Sequence, residues 1–294
     1  MIDRRHWMMG LGLATLTAGR ARAAEGLDGI PARIARIEAE FGGRLGVAVL
    51  DTATGRVAGH RLGEGFPMCS TFKAPLTAAV LARVDAGDER LDRRIPIAQA
   101  DIITWSPVTE TRIGAAGMTI AELCDATMTQ SDNAAANLLL ATVGGPAGYT
   151  AWLRRTGDDV TRLDRTEPTL NQALPGDPRD TTTPAAMAAT LRRLALGDIL
   201  SASSRARFVA WLRGNRTGDA RLRAGLPTGW QVGDRTGTGA RNTSNVIGVM
   251  WPPNDRPPLV VAAFLTEGAR EGARRDAALA AVGAAVTGMP RRGA

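Results

Sequence analysis

Lysine occurs once in this chain, at position 73, although lysine and arginine together number 36. Arginine effectively never gives up its proton, whereas a buried lysine has its pKa lowered and can take one. The single amine stands in Ser70-Thr71-Phe72-Lys73, one helical turn after a serine and on the same face. A lysine-assisted serine nucleophile needs this pair of residues. Chance is the alternative, since S-x-x-K is a common tetrapeptide.

Three further clusters carry usable chemistry. In Ser131-Asp132-Asn133 the serine hydroxyl could pass a proton to a leaving nitrogen and the asparagine amide could hold a carbonyl. All three types are also preferred helix N-caps, so the cluster reads equally as a helix start. Glu167 and Asn171, four apart in a long irregular stretch, could hold one water between a general base and an amide; otherwise Glu167 is a solvated loop acid. Arg165 and Asp180 could clamp the ends of that loop as an ion pair. Arg235-Thr236-Gly237-Thr238-Gly239 offers a guanidinium and two hydroxyls for a carboxylate, with glycines that let a ligand lie against the strand edge. A plain strand with a glycine bulge is the other reading.

The residue types that are missing exclude other chemistry. His6 lies at the N-terminus, which leaves His60 as the one other histidine, and there are two cysteines. No usual His/Cys zinc site can be built from these, and no metal or cofactor is expected. A Ser-His-Asp triad would have to use His60, which sits in a surface strand pattern. The net charge is +7, but four arginines against one aspartate fall in residues 1–23, and the remaining arginines are spread out. No basic block or stacking-aromatic pattern points to nucleic acid. Cys69 and Cys124 are expected as buried reduced thiols.

Residues 1–23 read as an export signal. Arg4-Arg5 precede a modestly apolar run, Trp7 to Ala18, and Ala21-Arg22-Ala23 is a cleavage pattern. The paired arginines favour the twin-arginine route and a periplasmic or secreted enzyme. Downstream, helices are expected over Ala32–Glu40, Thr71–Ala86, Thr119–Thr129, Asn133–Thr142, Pro146–Arg155, Thr183–Leu196, Ser203–Arg213 and Glu271–Val286. Strands are expected over Leu45–Leu50, Arg56–Leu62, Gln231–Gly237, Val246–Trp251 and Leu259–Leu265. Asp158–Thr183 is the irregular stretch, long enough to suggest function. Strands at both ends of a helical block imply an α/β (α+β) fold. One antiparallel sheet of about five strands would be flanked by helices, with an all-helical part inserted. The expected division is residues 24–66 and 214–294 for the sheet part and 67–213 for the helical part, with the site at their interface.

Taken in order, Ser70-x-x-Lys73, Ser131-Asp132-Asn133, Glu167-x-x-x-Asn171 and Arg235-Thr236-Gly237 resemble the motif set of the class A serine β-lactamases. The stretches Trp105–Glu110, Glu122–Cys124, Ala135–Leu139 and Pro175–Thr182 look like that family too, and the resemblance covers about residues 26 to 290. It implies a monomeric hydrolase of penicillins and cephalosporins with a β-lactamase/D,D-peptidase-like fold, no nucleic-acid partner and no membrane attachment after signal cleavage. It implies Ser70 as nucleophile, Lys73 as base or proton relay, Ser131 as proton donor to the leaving nitrogen, and Glu167 with Asn171 as the site of the deacylating water. The Ser70 and Thr238 amides would form the oxyanion hole, Asn133 would bind the substrate amide, and Trp105 would wall the cleft. Arg235, Thr236, Thr238 and Arg221 would hold the carboxylate. The Glu167-Pro168 bond would be cis.

Three departures from the family pattern matter. Arg235 stands where lysine is usual, as in the carbenicillin-hydrolysing subgroup. Ser244 stands where many members have arginine, and Arg221 matches the substitute position. Gly239 and Thr77 replace the usual partners of Cys69 and Cys124, so neither family disulfide can form. The competing readings are a penicillin-binding D,D-peptidase and a non-hydrolysing β-lactam sensor, both of which would acylate without release.

Overall fold

The computed structural model describes residues 27–288; the export signal expected over residues 1–23 lies outside them. The first helix, α1 (Ile30–Phe41), buries Ile30, Ile34 and Ile37 on one stripe and has a proline in its first turn. It leads into a hairpin of β1 (Arg44–Asp51) and β2 (Val57–His60). A two-residue strand, β3 (Phe66–Pro67), is followed by a 3₁₀ turn at Cys69–Phe72 and by α2 (Lys73–Asp85).

The helical block continues with the small ladder of β4 (Arg94–Ile97) and β5 (Gly114–Thr119), then α3 (Ile120–Thr129), α4 (Asn133–Thr142) and α5 (Gly145–Arg155). The loop that follows ends in β6 (Thr181–Thr182), which pairs with β3. Next come α6 (Pro184–Leu196) and α7 (Ala202–Arg213). The chain then returns to the sheet as β7 (Gln231–Gly239), β8 (Thr243–Trp251) and β9 (Leu259–Thr266), and closes with α8 (Gly272–Thr287).

The main sheet has five strands in the order β2-β1-β9-β8-β7, and every neighbouring pair is antiparallel. The two ends of the chain therefore meet in β1 against β9, as the flanking strands require. Both faces are covered, so the central strands read as apolar runs rather than alternating ones. Ala48, Leu50, Ile247, Val249, Val260, Ala262 and Phe264 join the core shared with the helical block. The intervening Val47, Val49, Val246, Met250, Val261 and Ala263 pack with α1 and α8.

The expected elements are all present, with shifted ends. The helix expected from Thr71 begins as α at Lys73, and the residues before it form the 3₁₀ turn that holds Ser70. The β3–β6 and β4–β5 ladders were not anticipated; short strands give too little alternation to read. Capping chemistry sets several starts: Thr119 and Glu122 form a reciprocal capping box on α3, and Thr183 and Ser201 cap α6 and α7. Among the described residues no helix is long and apolar enough to cross a membrane.

Candidate active site

The Cys69–Phe72 turn is buried, with Ser70 alone in it keeping some exposure, and Cys69 adopts φ 46°, a region that non-glycine residues rarely occupy. Ser131 and Trp105 share this left-handed conformation at φ 63° and 64°. Three strained residues around one cleft mark a functional constraint. The surrounding bonds hold them there. Trp105 Nε1 donates to the Gln130 carbonyl at 3.0 Å, and the Trp105 carbonyl accepts from Asn133 N at 2.9 Å. The Trp105 side chain is 61% exposed at the rim.

Glu167 is where the catalytic candidates meet. Ser70 Oγ donates to Glu167 Oε1 at 3.1 Å, and Lys73 Nζ lies 3.1 Å from the same oxygen. Ser70 and Lys73 thus meet through one carboxylate oxygen rather than by a hydrogen bond of their own. The other oxygen, Oε2, accepts from Asn171 Nδ2 at 2.5 Å, and Asn171 Oδ1 is buried without a protein partner. The Glu167 backbone is held on both sides by Asn137, whose Nδ2 donates to the Glu167 carbonyl at 2.9 Å while its Oδ1 accepts from Glu167 N at 3.0 Å. The Glu167-Pro168 bond is cis. Arg165 Nε reaches Asp180 at 2.5 Å, so the expected clamp across the loop is formed.

Lys73 is fully buried and also donates to the Ser131 carbonyl at 2.9 Å, to Asn133 Oδ1 at 2.5 Å and to Ser131 Oγ at 3.3 Å. Burial pulls its pKa down to about 8, against the opposing pull of the Glu167 charge. Within Ser131-Asp132-Asn133 the helix cap and the contacts to Lys73 fall on different residues. Asp132 is the cap of α4, accepting from Ala135 N and tying in Val108 N and Thr109. Such a cap is worth about 1 kcal/mol. Ser131 and Asn133 are thereby left facing Lys73, while Asn133 Nδ2 donates to the Thr104 carbonyl at 2.7 Å.

Arg235 is fully buried and donates to Ser131 Oγ. Burial lowers its pKa to about 10, which leaves it cationic at neutral pH. Thr217 Oγ1 hydrogen-bonds Thr236 Oγ1 and lies 3.5 Å from Arg235 Nη1. Arg221, nearly buried, donates to Asp276 at 2.8 Å, to the carbonyls of Gly237 and Asn245 at 2.9 and 2.7 Å, and to Thr238 Oγ1 at 2.8 Å. Its reach into the cleft therefore ends at the exposed Thr238 hydroxyl. Ser244 Oγ accepts instead from Arg275 at 3.0 Å, on the α8 side of the sheet.

Residues outside this cluster behave as ordinary structure. His60 hydrogen-bonds Glu38 at 2.9 Å. Cys69 and Cys124 are buried and free, and burial raises both thiols far above their usual range. A Cβ added at Gly239 would lie 2.5 Å from Cys69 Sγ. Among the described residues no group of three or more His, Cys, Asp or Glu side chains could hold a metal ion. Asn137 and Thr217 were given no role from sequence. Asn137 lies one turn after Asn133 on α4, and that spacing was the available signal. Thr217, in a loop, offered none.

Comparison with known proteins agrees with this geometry. Residues 30–289 match the model of the β-lactamase enzyme family. The β-lactamase L2 of Stenotrophomonas maltophilia is 47% identical over 278 residues, covering 94% of this chain and 91% of that protein. The β-lactamase OXY-2 of Klebsiella oxytoca is 47% identical over 260 residues, covering 88% and 89%. The solved structure of an ancestral class A β-lactamase superposes with a TM-score of 0.86 at 62% identity, over 88% of this chain and 98% of that one. A matching family model, long alignments with curated β-lactamases and a shared fold place this chain in the class A serine β-lactamase family.

Proposed function

We propose that the β-lactam hydrolysis of this class A enzyme runs through an ester on Ser70, with Glu167 as proton acceptor in both halves and Lys73 as a relay. The observation that carries the reading is the Glu167 Oε1 atom, which faces both the Ser70 hydroxyl and the Lys73 ammonium at 3.1 Å.

In acylation the Ser70 oxygen attacks the lactam carbonyl carbon and its proton passes to Glu167. The amides of Ser70 and Thr238 receive the charge that develops on the carbonyl oxygen; donors of this kind are commonly worth a factor of about 10²–10³ each. The ring nitrogen then leaves with a proton from Ser131. The Ser131 oxygen already accepts from Lys73 and Arg235, so its two acceptor positions are filled and its own O–H is free to point at that nitrogen. Lys73 restores the Ser131 proton and recovers its own from Glu167.

In deacylation a water between Glu167 and the free Asn171 Oδ1 gives a proton to Glu167 and attacks the ester carbon. The Ser70 oxygen leaves and takes a proton back. One water is consumed and the enzyme is regenerated. Arg235, Thr236, Thr238 and Thr217 receive the substrate carboxylate, Arg221 fixes the Thr238 hydroxyl, Asn133 holds the amide side chain, and Trp105 walls the entrance. The mature enzyme acts as a monomer in the periplasm after removal of residues 1–23. Its sheet part (24–66 and 214–294) and helical part (67–213) enclose the cleft.

Nitrocefin turnover tests the reading. The wild type should turn over repeatedly and Ser70→Ala should be inactive. Glu167→Gln should accumulate a penicilloyl adduct on Ser70 in intact-mass measurements with benzylpenicillin. Normal turnover by Glu167→Gln would remove Glu167 from its assigned role.

A further inference from the structure

We infer that Asn245 is a positioning residue for the Ser70 amide of the oxyanion hole, an inference that rests on the catalytic reading above. Asn245 lies on β8, directly opposite Gly237 of the edge strand β7. Directly paired residues send their side chains to the same face of a sheet. For this pair it is the face toward the helical block, shared with Ile247 and Val249.

Gly237 has no side chain, and the Cys69–Phe72 turn fills the space. A Cβ there would come 2.8 Å from the Met68 carbonyl and 3.2 Å from Ser70 N. Asn245 therefore reaches past β7, and its Nδ2 donates to the carbonyls of Pro67 at 2.8 Å and Met68 at 3.1 Å. These two residues lead directly into Cys69, whose φ of 46° will not hold without outside restraint. The other bonds on the segment include Met68 N to the Asp180 carbonyl at 2.9 Å, the Met68 carbonyl to Thr71, and the pairing of Pro67 with Thr181 of β6. Asn245 alone among these ties the turn to the sheet that carries Thr238.

The two donors of the oxyanion hole, Ser70 N–H and Thr238 N–H, belong to different elements, and their separation is set by whatever joins those elements. Asn245 makes one link to each. Its side chain holds the turn, and its carbonyl accepts from Arg221, which also bonds the Gly237 carbonyl and the Thr238 hydroxyl. A second observation separates this role from plain stabilisation. Asn245 is fully buried, yet its Oδ1 has no hydrogen-bond partner. A buried acceptor left unpaired opposes folding, so the amide is not held there by its Oδ1. What an apolar side chain lacks is the pair of donors aimed at Pro67 and Met68.

The test compares Asn245→Ala, Asn245→Ser and Thr243→Val with wild type. Thr243 is a control on the same strand, a buried hydroxyl bonded to Thr266. Each protein is measured for nitrocefin kcat/KM, for the inhibition constant of phenylboronic acid, which forms a tetrahedral adduct resembling the transition state, and for melting temperature. Asn245→Ala should lose about tenfold or more in kcat/KM and weaken phenylboronic acid by a similar factor. Asn245→Ser keeps one donor and should lose less. Thr243→Val should lower the melting temperature while both kinetic constants stay within about twofold.

The inference is overturned if Asn245→Ala leaves both constants within about twofold of wild type, or lowers kcat/KM without weakening the boronate. If the alanine variant does not fold, Asn245→Ser is judged by the same two criteria. In parallel, Glu167→Gln is checked by mass for the penicilloyl adduct on Ser70. Its absence would overturn the catalytic assignment itself, whereas its presence alongside unchanged variants removes only the role of Asn245.

Discussion

Four oxygens lie within 3.3 Å of the Lys73 nitrogen: the Ser131 carbonyl and hydroxyl, Asn133 Oδ1 and Glu167 Oε1. Every one accepts, and only an ammonium has three protons to offer them. With a pKa of about 8, about nine in ten Lys73 side chains carry that proton at pH 7. A relay must hold its proton to restore Ser131, so kcat/KM should fall as pH rises through about 8. A profile that rises through the same pH would make neutral Lys73 the acylation base instead. The Glu167→Gln variant sharpens the distinction. Removing the carboxylate removes the charge that helps keep the proton on Lys73, so the Lys73 pKa should drop below 8. The amine can then accept the Ser70 proton, so that variant should still acylate. Its acylation rate, followed by quenched intact mass, should rise with pH through the lowered value, the opposite sign to the wild-type profile.

The loop from 158 to 183 carries Glu167 and has little regular structure to hold it. Its rigidity comes from two buried carboxylates. Asp180 accepts from Asp164 N, Arg165 N and Arg165 Nε. Asp158 accepts from Thr161 and Thr190, and Thr161 bonds Thr182 across the loop neck. Asp180→Asn removes the nearer of two carboxylates paired with Arg165, leaving Asp177 at 3.8 Å, so the cost should fall below the roughly 3–5 kcal/mol of an uncompensated buried charge. Deacylation should then slow by about tenfold or more while acylation slows less, because water alignment tolerates the least displacement. Hydrogen exchange over residues 161–180 should rise and that of α2 should not; equal slowing of both half-reactions would show a general loss of stability instead. The same loop shows what sequence could reveal. Ser70 and Lys73 stood out because the chain has one amine, and Glu167 because an amide follows it four residues on in the irregular stretch. The Arg165–Asp180 clamp was readable as opposite charges at the two ends of one irregular stretch. Thr217 and Asn245 were not readable, because single amides and hydroxyls are common and each acts through a partner remote in sequence; Asn137 had only its one-turn spacing from Asn133 to mark it. The 3₁₀ turn at Ser70 and the two-residue β3–β6 ladder were missed because so few residues carry no period. That Ser70 and Lys73 meet through a Glu167 oxygen is a matter of packing between elements, which spacing along the chain does not encode.

At the scale of the whole molecule, the sheet is closed by strands from opposite ends of the chain, and Glu38 secures the N-terminal contribution. From the last turn of α1 it accepts Leu45 N on β1 at 2.7 Å, and it binds His60 on β2 at 2.9 Å and Arg61 at 2.8 and 3.1 Å. Burial by itself would raise its pKa, but the Arg61 guanidinium, the Leu45 amide and His60 outweigh it and bring the carboxyl down to about 2 from 4.5. As pH falls from neutrality the unfolded chain protonates Glu38 first, so proton uptake favours unfolding. The stabilisation is therefore complete above about pH 4.5 and is lost progressively as pH falls toward 2. Glu38→Gln keeps the shape but not the charge, and it should cost up to about 1.5–3 kcal/mol at pH 7, the range for hydrogen bonds to a charged group. Urea unfolding at pH 7, 4.5 and 3 should show the difference between wild type and variant shrinking as the medium becomes more acidic. A difference that stayed constant over that range would mean that Glu38 holds α1 to the hairpin by shape, with its charge contributing nothing. Because β1 pairs with β9 along its whole length, loosening this corner should lower the unfolding midpoint of the entire molecule in one transition and should leave nitrocefin kcat/KM at neutral pH unchanged.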